Sequence, residues 1–509
     1  MAAIDRALAE RLDNELEADL DPKKGRLGLV RRYLAGDHDK PYMPKGAKKE
    51  YEHLAERAIT NWTPLISDTY AKGLFVDGYR PAKASDNAGP WQYWQDNGLD
   101  ARQSIAHRGA LDYGTSYSLI LPGTVQSRRS PFWRPLSPLT SAAWYRDDDD
   151  EFPEVGLRRR GTTMDGTRLI ELMNDQSVYT FALPKDGDGW ILSRVDDHGL
   201  GVTPFVRFRD RLDSESTGII RPLITLQDRV NEVVFSILIA LQFAAFRQRW
   251  ATGLAIPEDD DGNPVEPFQA AVDRLWVAED AGAKFGDFAQ TDVNGHLGVY
   301  ESSVRTMAAV AQVSPNILTG DLVNLSADAL AQMEASTQRK ISEYETLFGE
   351  SWESGFRLAA LAAGDRVAAN DLSAQVRWRD TEARSLAQTV DALGKIAQML
   401  SVPVEALWER IPGVTDQDVQ HWKTLRESTD VLGLLAADIE RQTDPVATAP
   451  SGDDPAALKA KADAMGILIR SGVSAESAAQ RVGLEGVQFT GAVPVSLRLP
   501  EAEATALEE

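Results

Sequence analysis

The chain of 509 residues contains no cysteine, and this absence excludes disulfide bonds, thiolate metal ligands and a cysteine nucleophile. It also fits a reducing compartment, or an assembly that does not rely on redox chemistry. Positive charge is scarce, since 54 lysines and arginines stand against 77 aspartates and glutamates and give a formal net charge of −23. This acidity argues against the simplest kind of nucleic-acid-binding protein, because such a protein displaces counterions with a net basic surface.

Long hydrophobic runs are missing as well. The most apolar stretch, Val233–Phe246, is interrupted by Ser236 and Gln242 and is shorter than the roughly 20 residues that a membrane-spanning helix needs. The N-terminal stretch Met1–Asp21 alternates charged side chains with Ala and Leu and lacks the apolar segment of a secretory signal. We therefore expect a soluble protein with no membrane partner.

Sequence motifs of catalysis are missing too. The nearest candidate for a phosphate-binding loop, Gly394–Lys395, has Ile396 where Ser or Thr belongs and Thr389 where the first glycine belongs. Neither a GxSxG elbow nor an HExxH zinc motif occurs, and the six histidines are scattered. The acidic runs Asp147–Glu151 and Glu258–Asp261 lack the spacing of a calcium loop and are more typical of solvated turns. We expect no enzyme activity, no metal and no cofactor, although a spatial pair of catalytic carboxylates stays open.

The spacing of apolar residues predicts an α+β fold that is mostly α-helical. Residues 1–80 and 90–115 have helical spacing. Short alternating runs between turn residues predict antiparallel strands at Tyr117–Leu121, Glu154–Leu157, Arg168–Met173, Val178–Leu183 and Trp190–Val195. A wide apolar stripe predicts a helix between Ser214 and Trp250. A hairpin-like insert follows, and the next helix, from about Leu297 to Val313, ends before a proline.

The most informative segment is a proline-free run from Ser326 to Ala363. Its apolar residues recur on one face of a helix, namely Leu330, Met333, Ile341, Tyr344, Phe348, Trp352, Phe356 and Ala359. A helix of this length spans roughly 57 Å, several times the average in globular proteins. Such a rod typically spans an assembly or connects domains. After it the sequence predicts a strand at Gln375–Trp378, further helices and an acidic end at Glu501–Glu509.

Four parts of the chain occur in an order and spacing typical of one protein family. They are Asn61–Arg80, His198–Arg211 with Leu223–Trp250, Val313–Leu330 with Phe348–Leu358, and Lys459–Leu484. They resemble the opening, the first channel-lining helix, the tunnel-loop region and the crown helices of the portal proteins of tailed bacteriophages. The branch that they resemble most is that of long-tailed, siphovirus-like phages of Gram-positive hosts. The resemblance covers nearly the whole chain.

The resemblance implies a homo-oligomeric ring, a dodecamer in the virion, at one vertex of the capsid. Double-stranded DNA would pass through its channel during packaging and ejection without sequence-specific contacts. The implied partners are further copies of the chain, the terminase large subunit, the major capsid or scaffold protein and the head–tail connector protein. Assembly would take place in the host bacterial cytoplasm. A channel through which DNA slides must not bind the DNA phosphates tightly, and each Lys or Arg contact would add to that binding. The net charge of −23 is therefore compatible with a channel that DNA passes through.

The resemblance also divides the chain into the wing, stem, clip and crown of a portal. It implies an N-terminal wing at 1–213, a first stem helix at 214–250, a clip at 251–292, a second stem helix at 293–318, a tunnel loop with the long helix and the return to the wing at 319–380, and a helical crown with an acidic tail at 381–509.

Two sets of site residues follow from the same resemblance. The tunnel loop facing DNA would be Thr319, Gly320, Asp321, Leu322, Val323, Asn324 and Leu325. The stem surface at the subunit interface would include Val230, Val233, Val234, Ile237 and Leu241. Without the resemblance, the first set is an ordinary loop before a helix capped by Ser326, and the second is a plain core helix. Another head structural or adaptor protein and a metal-dependent nuclease stay open as alternative functions.

Overall fold

The structure of the chain is a computed structural model. It describes residues 4–43, 49–81, 89–125, 128–245, 249–252, 282, 284–287, 294–320, 327–379, 386–408, 410–411, 413–414, 416–429, 455–470 and 473–484. The chain divides into two compact units, Met1–Gln420 and His421–Glu509. In the described part, no helix is both long enough and apolar enough to span a membrane.

Helices dominate the first part of the chain, as their periodicity predicts. The elements are α1 (Arg6–Asp19), α2 (Arg26–Leu34), α3 (Lys49–Arg57), α4 (Thr63–Gly73), β1 (Val76–Arg80), α5 (Trp91–Asp96) and α6 (Leu99–Tyr113). The Asp5 carboxylate caps α1 by accepting a hydrogen bond from the Leu8 N–H at 2.8 Å, as an Asp N-cap commonly does. Gly114 ends α6 with φ of +88°, a left-handed conformation that favours glycine.

Two antiparallel sheets follow. Their strands, together with the short hairpin β3–β4, are β2 (Thr115–Leu121), β3 (Thr124–Val125), β4 (Arg128–Arg129), β5 (Phe132–Leu136), β6 (Ser141–Trp144), β7 (Val155–Thr162), β8 (Arg168–Met173), β9 (Ser177–Leu183), β10 (Ile191–Asp197) and β11 (Phe205–Arg209). One sheet has the order β10-β9-β8-β7-β6 and the other β11-β2-β5. The five predicted strands are confirmed. Strand β5 is absent from the prediction because it contains Pro135, and proline argues against a strand.

The second half of unit Met1–Gln420 is again mainly helical. Its elements are α7 (Ile224–Ala245), β12 (Arg249–Thr252), β13 (Lys284–Asp287), α8 (Asn294–Ala311), α9 (Pro315–Thr319), α10 (Ala327–Ala363), α11 (Arg366–Ala369), β14 (Gln375–Trp378), α12 (Leu386–Leu400), α13 (Glu405–Trp408) and α14 (Asp416–Thr429), the last of which continues past the boundary at 420. The long helix α10 is confirmed within one residue of its predicted start. The helix predicted from Ser214 begins later, because Gly218 adopts φ of +74° and a 3₁₀ turn containing Pro222 comes first.

The main core surrounds α10. Aromatic side chains of α10 meet those of α5, β5 and β11 in one buried cluster containing Trp94, Trp133, Phe208, Phe348, Trp352 and Phe356. The ring centroids of Trp352 and Phe208 are 4.7 Å apart. The Trp352 Nε1–H donates to His107 Nε2 at 2.9 Å. Burial lowers the pKa of His107 to about 3, so this imidazole is a neutral hydrogen-bond acceptor inside the core.

Smaller clusters join the layers around this core. Helices α1 and α2 pack on the five-stranded sheet through residues such as Leu12 and Leu27. The two sheets face each other through Leu119 on one and Met173 on the other. After α10 the chain returns as β14, which pairs antiparallel with β1. The long helix is therefore fixed to the N-terminal part of the chain along its buried face.

The unit His421–Glu509 contains a small helical pair, α15 (Pro455–Arg470) and α16 (Ala475–Val482). Ser474 caps α16, since its hydroxyl accepts a hydrogen bond from the Ser477 N–H at 3.4 Å. Gly483, with φ of +69°, ends it. The sequence predicts this pair correctly at about 456–470 and 474–482.

Candidate functional site

Helices α7 and α8 pack against each other and form the centre of the candidate site. The antiparallel strand pair β12–β13 lies between them in the chain, with Arg249 opposite Asp287 and Thr252 opposite Lys284. The strand pair agrees with a hairpin-like insert at this place, and the residues between 252 and 284, apart from 282, lie outside the described part of the chain. The helix pair thus leaves the main core at one end and carries a strand pair at the other.

Buried amides anchor the first turns of α7 to the N-terminal part of the chain. Gln227 and Asn231, both fully buried, lie one helical turn apart and share a hydrogen bond of 3.0 Å. The Gln227 amide donates to the Thr60 carbonyl at 2.6 Å and accepts from the Trp62 N–H at 3.1 Å. Buried polar groups that are fully bonded fix one arrangement of the elements that they join. The start of α7 is therefore held rigidly.

The same network continues into α2. The Asn231 amide donates to His38 Nδ1 at 2.9 Å, and His38 Nε2 donates to the Tyr33 carbonyl at 3.0 Å, which requires the neutral imidazole with its proton on Nε2. The Tyr33 hydroxyl donates to the Asp228 carboxylate at 2.7 Å. Burial, and then the hydrogen bond to Asp228, raises the pKa of Tyr33 well above its ordinary value. Apolar periodicity does not predict this network, although two amides four residues apart in an apolar stripe are a visible signal.

Exposure rises along α7 away from this anchor. Of the residues predicted at the subunit interface, Val230 is fully buried in the main core, Val233, Val234 and Ile237 are half-buried, and Leu241 is 48% exposed. On one side α7 is covered by α3, where Phe235 packs with Ala55 and Ala58. Leu297 and Val299, in the first turns of α8, are also exposed. The end of the helix pair next to β12–β13 therefore presents apolar side chains to water.

The other end of α8 leads to the predicted tunnel loop. The Tyr70 hydroxyl donates to the Ala311 carbonyl at 2.5 Å, and Gln312, with φ of +58°, turns the chain. The Thr337 hydroxyl of α10 donates to the Gln312 carbonyl at 3.2 Å. The end of α8 is thereby tied to the third turn of α10, beyond the predicted loop.

Two of the seven predicted loop residues lie in the described part of the chain. Thr319 ends α9, and its hydroxyl donates to the Pro315 carbonyl at 3.3 Å. Gly320 follows with φ of +73°, and its N–H donates to the Asn316 carbonyl at 2.8 Å. The other five, Asp321, Leu322, Val323, Asn324 and Leu325, lie outside the described residues.

Within the described ranges, no group of three or more His, Asp or Glu side chains is placed to hold a metal ion. The surface acid Asp148 is paired with Arg207 and Arg209, with 2.7 Å between the nearest atoms of each pair. Both arginines lower the pKa of this carboxylate, and the Arg207 hydrogen bond has the largest effect. The run Asp147–Glu151 is therefore an exposed turn that ion pairs of Asp148 hold in place.

Comparison with known proteins now assigns the chain to a family. A family model described as phage portal protein, SPP1 Gp6-like, matches residues 13–431. No curated protein matches. The chain is similar to one in the virion of a native gene transfer agent (GTA) particle, with 14% identity, coverage of 73% of this chain and 95% of that chain, and a TM-score of 0.37. It is also similar to a chain in the neck of the native GTA particle computed with C12 symmetry. The identity there is 13%, the match covers 75% of this chain and 97% of that chain, and the TM-score is 0.37. Because the family model spans most of the chain, from within α1 to just past α14, the chain belongs to the SPP1 Gp6-like family of phage portal proteins.

Proposed function

We propose that this portal protein forms a closed homo-oligomeric ring whose channel passes double-stranded DNA during packaging and ejection. The observation that carries the ring is the apolar end of the α7–α8 pair, where Leu241, Leu297 and Val299 are 48%, 45% and 52% exposed. Apolar side chains exposed to water at one end of a helix pair fit a surface that another protein covers. In a ring, the neighbouring copy covers them.

The parts of the ring follow the expected division of the chain. In this proposal α7 and α8 are the stem, 251–292 is the clip, and 1–213 with the β14 return is the wing. Residues 319–325 are the tunnel loop, and 381–509 are the crown with its acidic tail. The exposure along α7 narrows the stem contact to Leu241 and its half-buried neighbours, since Val230 lies in the core of its own chain.

Partners complete the proposal. The ring is a dodecamer in the virion and lies at the portal vertex after assembly in the host cytoplasm, with the major capsid or scaffold protein around it. The clip binds the terminase large subunit during packaging and the head–tail connector protein afterwards. The order of the sequence stretches supports a place in the branch from long-tailed phages of Gram-positive hosts.

Electron microscopy of the purified full-length chain tests the ring. We expect negative-stain class averages with an axial hole, and a ring mass by light scattering.

Leu241→Asp should reduce ring formation, because it places a charge in the covered stem surface. Leu372→Asp is the matched control, since Leu372 is 80% exposed and lies outside the helix pair. A wild-type chain that stays monomeric at micromolar concentration with capsid protein present would contradict the proposal.

A further inference from the structure

A cleft beside β5 holds two arginines and one acid. It is lined by Arg102, Arg134, Phe132 and Val125, among others, together with the acid Asp96. We call this the arginine cleft. Among the described residues, neither Arg102 nor Arg134 forms an ion pair. Asp96 is engaged elsewhere, since its Oδ1 accepts a hydrogen bond from Gln92 Nε2 at 2.7 Å.

Arg134 is held in place by its surroundings. Its Nη1 donates to Asn97 Oδ1 and to the Trp133 carbonyl, both at 2.7 Å. Asn97 is itself 3% exposed and donates to the Pro131 carbonyl at 2.9 Å. The guanidinium lies 4.7 Å from the centroid of the Phe132 ring. A buried amide and an aromatic ring thus orient the charge before any anion arrives.

The acid in the cleft lining, Asp96, forms no ion pair with Arg102 or Arg134 in the described part of the chain. Burial, and then the nearby Arg102 and Arg158, lowers the pKa of Arg134. Arg158 is partly neutralised by Glu171 at 3.4 Å, whereas Arg134 is not. A partly desolvated cation gains more from an added anion than a solvated one does. The cleft can therefore bind carboxylates or phosphates that another molecule supplies.

Matching carboxylates lie on a turn that we call the acidic loop, residues 147–151 between β6 and β7. It is fastened at both ends, because Asp148 pairs with Arg207 and Arg209 of β11 and Glu151 accepts from the Ser354 hydroxyl of α10 at 2.6 Å. Asp147, Asp149 and Asp150 are exposed, and the described part of the chain gives them no ion pair. The loop therefore presents exposed carboxylates from a fixed backbone, although Asp150 Oδ2 also accepts a hydrogen bond from the Asp147 N–H at 3.0 Å.

Topology keeps the two surfaces of one chain apart. The sheet has the order β11-β2-β5, so the acidic loop lies at one edge and the arginine cleft at the other. The edge strands are about 10 Å apart. A second copy can bring its acidic loop to the cleft. Unlike surfaces on opposite edges give a head-to-tail contact, which closes into a ring when the rotation allows.

We propose that, in the ring, the arginine cleft of one subunit receives the acidic loop of its neighbour, through ion pairs of Arg102 and Arg134 with Asp149 and Asp150. This inference rests on the proposed ring and adds a contact between the sheets of neighbouring subunits, separate from the stem. It is a charged contact, so it sets the order and direction of neighbours and weakens with salt.

Charge reversal tests the contact in the full-length chain. Arg102→Glu with Arg134→Glu, and separately Asp149→Lys with Asp150→Lys, should each raise the concentration needed for ring assembly at least about tenfold. An equal mixture of the two variants should restore rings, because every contact between unlike subunits is again complementary. Light scattering and negative-stain micrographs give the ring fraction, and circular dichroism shows that each variant is folded. Arg11→Glu with Arg194→Glu makes the same charge change at exposed sites and should leave assembly unchanged.

The other outcomes separate this inference from the proposed function. A wild-type chain that forms no rings overturns both. If the wild type forms rings and the variant with Arg102→Glu and Arg134→Glu forms them equally well, this inference alone is overturned. If that variant forms normal rings but loses retention of a short DNA duplex that the wild type retains, the cleft binds phosphate instead of a second copy. Failure of the mixture to restore rings also overturns the pairing of these two surfaces.

Discussion

Gly355 lies inside α10 next to Trp133 of β5. A Cβ atom there would lie 2.7 Å from Trp133 Cζ2, closer than atoms in contact can be. Alanine is favoured over glycine in a helix interior by about 1 kcal/mol, but overpacking costs about 1–3 kcal/mol. We expect Gly355→Ala to lower the melting temperature. Gly349→Ala, in the same helix with its nearest neighbours at 3.5 Å, should leave it unchanged or raise it. Equal stabilisation by both would contradict the close approach.

Asp112 gives a prediction about pH. It is 8% exposed and accepts a hydrogen bond from the Ser67 hydroxyl at 2.5 Å, and burial raises its pKa from 3.8 to about 6. A raised pKa means that the folded state binds the proton more tightly than the unfolded state, so this carboxylate lowers stability increasingly as the pH rises from about 4 to 6. Asp112→Asn should raise the unfolding free energy at pH 8 by roughly 2–3 kcal/mol, with little effect near pH 4.

Asp68 is the control for this pH dependence. The Arg108 hydrogen bond lowers the pKa of Asp68 below 3.8, so its ionised form stabilises the fold and this contribution is lost as the pH falls. Asp68→Asn should therefore reduce stability at neutral pH, the opposite sign. Urea unfolding at the two pH values measures both variants. A gain for Asp112→Asn that is the same at pH 4 and pH 8 would contradict the assignment.

At the scale of elements, α10 is the part on which the rest depends. Ala335 lies in its interior, close to the Thr337 hydrogen bond to the end of α8. Proline there removes a helix hydrogen bond and costs about 3 kcal/mol or more, so Ala335→Pro should lower thermal stability and the yield of rings. Ala327→Pro is the control, because the first helical position tolerates proline. Rings and melting temperature that are the same for both variants would show that α10 is not the scaffold.

The same elements show what the sequence could predict. The buried face of α10 has an uninterrupted period, so its length and the positions of Phe348 and Trp352 are predictable. The anchor of α7 is not, because Gln227 bonds to Thr60, which is distant in the chain, and periodicity reports no such pairing. The arginine cleft is equally hidden, since Arg102 and Arg134 come together only through the packing of α6 on β5.

At the scale of the whole molecule, the net negative charge and the proposed channel both require that the ring contacts DNA phosphates only weakly. A net charge of −23 on each chain repels DNA phosphates over distances of about a Debye length. Local positive groups such as the arginine cleft are assigned in our proposal to neighbouring subunits and not to DNA. The ring then surrounds DNA by shape, while its contacts with phosphates stay few and weak. A wall of this kind lets DNA slide in either direction.

Few and weak phosphate contacts imply a low affinity of the ring for DNA. Assembled rings should bind a short DNA duplex no more tightly than a dissociation constant of about 10⁻⁴ M at physiological salt. Each phosphate contact through Lys or Arg adds about −0.9 to the slope of log affinity against log salt, so the slope should stay near zero. Fluorescence anisotropy across a salt series measures both quantities, and a basic DNA-binding protein in the same series sets the detection limit. Micromolar binding with a slope steeper than about −3 would mean that the ring holds DNA through several phosphates at once, and the conduit would have to be replaced by a clamp.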